Sequence, residues 1–294
     1  MALRKVLAVG ALSLAAGYAL ALPQSGVATP PPVSERPPRV SSTSLCGDLW
    51  VMALADREQI VSVSQNATGP YSPYATEAQT LPLNRGSLEE LIAGGAQLVV
   101  TGHGSSTQMQ RMLPRFGIEE LDLPMTSDLA ELANKIPQVG RELGQPARGL
   151  ALQDAFQRSI AGNSRVEDRS STMPTVVYYR PDGGGAGAGT IVDAAITAAG
   201  YDNMQRHSGP SGWRGVALEQ IVMTPPDAYV ISYFDSPQPS LKAGLGRNSV
   251  LRKAAENGTV LPVPGKFWPC DHPIISEAVS VLAHAHTSVG DARP

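Results

Sequence analysis

Two stretches of this chain say nearly the same thing. RGSLEELIAGGAQLVV occupies residues 85–100 and RGVALEQIVMTPPDAYVI residues 214–231. Their Leu-Glu pairs, Leu88-Glu89 and Leu218-Glu219, lie 219 − 89 = 130 positions apart. Each copy opens on Arg-Gly and continues as a short amphipathic helix with an acid in its first turn. A polar or proline-containing break follows, then an apolar run, 98–100 in one copy and 229–231 in the other. Helix, turn and buried strand, repeated at this separation, predict two similar lobes, because solenoid repeats have much shorter periods.

The 294 residues suffice for two ordinary domains. With 42% apolar and 17% charged residues the chain can build packed cores. A net charge of −3 provides no electrostatic footprint for nucleic acid. Arg4 and Lys5 precede an apolar stretch, 6–20, and ALA at 19–21 fits a small-x-small cleavage site. We read residues 1–21 as a cleaved signal peptide, since Gly10, Ser13 and Gly17 make the stretch a poor membrane anchor. No cysteine follows it to take a lipid, so the expected location is the periplasm. Residues 22–38, rich in proline and serine, read as a flexible lead. The two cysteines, Cys46 and Cys270, are expected to pair in an oxidising compartment; two buried thiols are the alternative. Neither has enough ligand-type neighbours for a metal site.

Strand-like runs alternate with helical ones, which predicts an α/β fold with largely parallel sheets. In a first lobe, 39–145, RVSSTS, QIVSVS, LVVTG and GIEELDLP read as strands, 47–54 and 108–116 as helices, and 66–85 as a polar loop. Ser127 reads as a helix cap and Pro137 as a helix start or kink. Residues 146–161 show helical apolar spacing and form one connecting helix, placed at 146–163. In a second lobe, 164–294, TVVYYR and TVLPVPG read as strands, 190–199 and 274–284 as helices, 240–257 as partly helical, and 201–215 as loop. GGGAGAG, 183–189, lacks the Gly-Lys-Ser/Thr of a nucleotide loop and the acid of a dinucleotide site. It reads as a flexible loop before a helix whose amides are open to an anionic group.

In order and spacing, SLCGDLWVMALADREQIVSVS, GSLEELIAGGAQLVV, YYRPDGGGAGAGTIVDAAITAAGYDN, WRGVALEQIVMTPPDAYVIS and FWPCDHPIISEAVSVLA resemble the class III solute-binding proteins of ABC importers. The resemblance spans about 39–286. It implies two α/β lobes joined by one long helix, with an iron(III)-siderophore, haem or cobalamin held between them. It implies a monomeric binder without catalytic residues or resident cofactor, delivering ligand to the transmembrane permease subunits. We take an iron(III)-siderophore chelate as the first expectation, cobalamin as the second and haem as the third.

The resemblance also assigns residues. Glu89 and Glu219 match the acids that bind permease arginines in the cobalamin-binding member; as plain helix residues they serve the helix dipole. Glu90, beside Glu89, is a possible substitute for it. Trp213 matches a tryptophan that touches cobalamin. Arg85 and Arg214 precede the repeated helices at the cleft rim, where an arginine holds a carboxylate bidentately. Tyr71, Tyr74, Tyr179, Arg180, Phe267 and Trp268 fall in loops after strands, where α/β folds bind ligands; core packing is the alternative. His103 follows a buried strand and is a further contact candidate. His103 with Ser105 or Ser106 is the hydrolase reading, which no G-x-S-x-G elbow supports. The other histidines show no ligand spacing.

Overall fold

The computed structural model describes residues 36–102, 107–164, 173–209, 211–216, 218–232 and 259–291. In the first lobe β1 (Val40–Ser42), β2 (Ile60–Ser64), β3 (Leu83–Asn84), β4 (Leu98–Gly102) and β5 (Glu119–Leu123) form a parallel sheet in the order β3-β2-β1-β4-β5. In the second lobe β6 (Thr175–Tyr179), β7 (Gly184–Ala186), β8 (Asp202–Asn203), β9 (Trp213–Gly215), β10 (Ala228–Ser232) and β11 (Thr259–Val263) follow. Four of these make a parallel sheet, β11-β10-β6-β8, and β7 and β9 pair as an antiparallel ribbon. The helices are α1 (Leu45–Leu54), α2 (Ala75–Ala78), α3 (Leu88–Gly94), α4 (Thr107–Met112), α5 (Leu129–Glu142), α6 (Pro146–Asn163), α7 (Ile191–Ala198), α8 (Leu218–Met223) and α9 (Ile275–Asp291).

Matching β1 to β6, β2 to β8, β4 to β10 and β5 to β11 gives the same strand order in each lobe. The repeated sequences are then corresponding units, α3–β4 and α8–β10. β4 lacks alternation because both of its faces are covered, as parallel strands between helix layers require. Helices α1, α3, α5 and α7 each start on a side chain that satisfies a free backbone amide. Ser44 accepts from the Gly47 N–H at 3.1 Å, Thr190 from Asp193 at 3.2 Å, and Ser87 and Glu90 form a reciprocal capping box. At α5 the cap is Asp128, not Ser127: the Asp128 carboxylate accepts from the Glu131 N–H at 2.7 Å. Ser127 instead donates its N–H and hydroxyl to the Glu131 carboxylate.

Three segments read as loops contain more. Residues 66–85 hold α2 and β3, the glycine run holds β7, and 201–215 hold β8 and β9. The signal segment, the lead up to residue 35, and 240–257 lie outside the described residues.

α5 and α6 carry the chain from β5 to β6 and pack against each other. Pro137 lies inside α5, so the Ala133 carbonyl has no intrahelical donor. Gln153 of α6 supplies one, its Nε2 donating to that carbonyl at 2.9 Å. The helices touch through glycine: a Cβ on Gly140 would stand 2.7 Å from the Gly149 Cα. At the start of α6, Arg148 pairs with Asp56 at 2.6 Å and donates to the Leu54 carbonyl at 2.6 Å. One continuous cluster of buried apolar side chains runs from Val40 and Trp50 through Ile136 and Phe156 to Tyr178 and Val230. Gly140→Ala is therefore expected to force α5 and α6 apart and to cost about 1–3 kcal/mol. Equilibrium urea unfolding checks this; an unchanged midpoint contradicts the close approach.

Candidate functional site

In a parallel sheet every strand leaves at the same edge, and α/β folds bind ligands there. In this chain the two such edges meet. Cys46, in α1 just after β1, is bonded to Cys270, which follows β11; their Cα atoms are 4.9 Å apart and 224 positions separate them. The next residue, Asp271, accepts the backbone N–H of Thr126, which follows β5, at 2.5 Å. His272 then sets its ring edge-on against Trp50 of α1 at 5.0 Å and Tyr74, after β2, at 6.5 Å between centroids. Burial keeps that imidazole neutral, its pKa pushed down to about 3. Buried Lys135 of α5 donates to the Pro124 carbonyl at 2.5 Å and lies 5.6 Å from the Trp50 ring centroid. Burial lowers its pKa, and the Asp271 carboxylate is the leading charge that opposes the shift. Cys270 and Asp271 have φ of 71° and 42°, left-handed values that non-glycine residues adopt at a cost of roughly 1–2 kcal/mol each.

Beneath each edge lies one buried carboxylate at an equivalent place. Asp48 of α1 accepts the Ser64 N–H at 2.8 Å, the Ser64 hydroxyl at 2.6 Å and the Ser42 hydroxyl. It has no cationic partner among the described residues, and burial raises its pKa to about 6. Asp193 of α7 accepts from Asn203 at 2.9 Å and is paired with Arg206 at 2.8 Å.

The residues singled out from the sequence divide by position. Tyr71 and Tyr74 follow β2 and are half-buried, Tyr74 inside the seam between the lobes, where burial raises its pKa. Arg85 is exposed after β3, its N–H held by the Glu90 carboxylate at 2.9 Å. Trp213, 42% exposed, stands on the β7–β9 ribbon with the Arg180 guanidinium 5.6 Å from its ring centroid. Arg180 also pairs with Asp182 at 2.7 Å. Arg214, next along β9, turns the other way and donates to the Gln205 carbonyl. Tyr179 is buried with Ile221 and Tyr229, and Trp268 is buried edge-on to Tyr178. Both are core side chains, and Phe267 packs against that core. Glu89 and Glu219 are exposed in the first turns of α3 and α8. His103, Ser105 and Ser106 lie outside the described residues.

The glycine run is not an anion loop. The Ala186 N–H goes to Gln205 Oε1, that of Gly187 to the Gly212 carbonyl and that of Gly184 to Asp182. Sequence reading passed over Asp48, Trp50, Lys135, Asp271 and His272. The one signal for the last two was their place directly after Cys270. Among the described residues no group of three or more His, Cys, Asp or Glu is placed to hold a metal ion.

The profile of the periplasmic binding protein family matches residues 40–261. A cobalamin-binding protein of Halobacterium salinarum is 26% identical over 261 residues, 86% of this chain and 70% of its own. Among solved structures, a periplasmic haem-binding protein of Pseudomonas aeruginosa aligns with a TM-score of 0.70 at 21% identity, covering 88% of this chain and 95% of its own. That of Roseiflexus sp. RS-1 aligns at 0.67 and 22%, over 86% and 99%. The periplasmic vitamin B12 binding protein of Vibrio cholerae aligns at 0.63 and 16%, over 86% and 98%. At such identities the solved structures establish a common fold.

Two solution measurements test this geometry. The bridge closes a loop of 224 residues, which the chain-entropy model values at about 5 kcal/mol. The non-reduced, denatured protein should show no titratable thiol, and reduction should lower its melting temperature by roughly 10 °C. Two free thiols overturn the bridge. Asp48 binds its proton more tightly when folded (about 6) than at its ordinary value of 3.8. Its contribution is thus fully present below pH 3.8 and fades as pH rises to about 6, a loss on the order of 2–3 kcal/mol. Asp48→Asn should therefore gain on wild type between pH 4 and pH 7 in urea unfolding; parallel pH dependences contradict the assignment.

Proposed function

The chain belongs to the periplasmic binding protein family, and from that premise we propose that it captures a corrinoid between its two lobes and hands it to an ABC permease. The observation that carries the choice is Trp213, an indole 42% exposed where β6 ends, held under Arg180. An indole so held offers a flat apolar surface to the face of a broad ring. The arginines beside it are occupied: Arg180 by Asp182, Arg214 by the Gln205 backbone. Their occupation weakens the case for an anionic chelate. The name of the Halobacterium relative favours the same ligand. An iron(III)-siderophore, the first choice from the sequence, is the second reading, favoured by the exposed Arg85.

Capture without chemistry is the role. The family implies an exported protein, and residues 1–21 are the proposed cleaved signal, with the periplasm as destination. For delivery, Glu89 and Glu219 present one exposed carboxylate per lobe, on corresponding helices, to basic side chains of the permease. Glu90 is no substitute, because its carboxylate accepts the N–H groups of Arg85 and Ser87, which also lowers its pKa. The lobes are tied by α5–α6 and again by the disulfide, so closure on the ligand is small.

Trp213→Ala should weaken cyanocobalamin binding by the lost stacking area, about 1–3 kcal/mol, read by calorimetric titration. Glu89→Arg with Glu219→Arg should leave that affinity intact and abolish uptake in vesicles carrying the permease. Binding of a ferric hydroxamate without cyanocobalamin would select the second reading. Binding of neither overturns both, and normal uptake by the double variant overturns the docking assignment.

A further inference from the structure

Arg180 and Asp182 face each other across a tight turn. The Gly183 N–H donates to the Arg180 carbonyl at 2.9 Å, and the Arg180 N–H donates to the Gly184 carbonyl at 3.0 Å. Gly183 takes φ of 82°, a left-handed value that glycine adopts without steric cost. Across this turn the Asp182 carboxylate gives both oxygens to the guanidinium. Its Oδ2 accepts from Arg180 Nη2 at 2.7 Å and its Oδ1 from Nε at 3.3 Å. Oδ1 also accepts the Gly184 N–H at 2.8 Å. Two side-by-side bonds to one edge of a guanidinium are the arrangement by which arginine holds a carboxylate. Asp182 therefore fills the edge of Arg180 that a carboxylate on a ligand would use.

The pair lies directly on glycine. A Cβ on Gly184 would stand 2.8 Å from Arg180 Nη2 and 2.8 Å from Asp182 Oδ1. A side chain there would push against both partners, so glycine at this position is what admits the pair. The guanidinium held in this way lies 5.6 Å from the ring centroid of Trp213, within cation–π range. Asp182 and Trp213 are both exposed. A carboxylate and an indole thus flank one arginine on the ribbon end of the second lobe.

We propose that Asp182 is a positioning residue that sets specificity: as the built-in counter-ion of Arg180, it makes the surface beside Trp213 reject an anionic ring and admit a neutral one of the same breadth. An incoming carboxylate meets an occupied guanidinium and a second negative charge beside it. Displacing Asp182 gives up one ion pair to form another, so the exchange gains little. A ring that carries amides in place of acids meets neither obstacle. The inference rests on the proposed function for the ring itself and goes beyond it in naming the residue that decides the charge of that ring.

The probes are cyanocobalamin and the monocarboxylic acids made by hydrolysing one of its peripheral amides, titrated calorimetrically into the full chain at low salt. Wild type should bind cyanocobalamin and prefer it to each acid. Asp182→Asn keeps the acceptor for the Gly184 N–H and removes the charge. It should leave cyanocobalamin affinity within about twofold and strengthen at least one acid by about fivefold. That gain should shrink as salt is added. Asp182→Glu, which keeps the charge, should keep the wild-type preference. A residue that only shaped the turn would move the neutral and the acidic ligands together. Affinities that are unchanged or equally changed in Asp182→Asn, or a wild type that prefers the acids, overturn the proposal and leave the corrinoid reading standing. Binding of none of these ligands overturns both.

Discussion

Among the described residues, 270–272 hold the lobes where the exits of both sheets converge. Each does something different. Cys270 binds the exit of β1, Asp271 binds the exit of β5 through Thr126, and His272 packs between Trp50 and Tyr74. Asp271 carries a further duty, because Lys135 is buried beneath the seam and needs a counter-charge. The left-handed backbone at Cys270 and Asp271 is the local cost of aiming three consecutive side chains at another lobe. The bonds just named are what maintain it. Helices α5 and α6 are the other described connection between the lobes.

Within this frame the lobes repeat a topology but not a chemistry. Asp48 and Asp193 occupy equivalent helices and reach the ends of equivalent strands, β2 and β8. Arg206 neutralises Asp193, while Asp48 depends on hydroxyls and one amide and holds its proton to about pH 6. The helices α3 and α8 likewise match in sequence and in their exposed acids, and each buries one apolar side chain, Leu91 or Ile221, in a local cluster. The second lobe carries the exposed indole.

What was legible in the sequence was the part dictated by periodicity. The doubled helix–strand unit announced two lobes because β4 and β10 are buried runs, and such runs carry their own signature. β7 was not legible: a strand of two glycines and an alanine has no pattern, and it exists because β9 pairs with it and Gln205 caps its amide. Tyr179 was misplaced among the loop residues although its alternation with Val177 along β6 puts both on the α8 face. His272 showed no ligand spacing because its partners, Trp50 and Tyr74, are remote in sequence and near only through the fold. The cysteines marked the seam, and nothing marked the residues that bury around it.

The same distinction bears on the choice of ligand. Three arginines near a proposed cleft read, in sequence, as three charges waiting for an anion. In the fold two of them are spent on neighbours, and the pairing is local: Arg180 with Asp182 two residues on, Arg214 with the backbone of Gln205 nine residues back. A guanidinium already holding a carboxylate has less to offer an incoming one, and breaking that pair offsets much of what a new pair gains. Arg180 lies over Trp213 with its guanidinium 5.6 Å from the ring centroid, a cation–π contact. The second lobe therefore presents an exposed aromatic side chain beside which Arg180 and Asp182 are paired with each other. On the reading proposed above, such a surface suits the breadth of a neutral ring system better than the charge of a chelate.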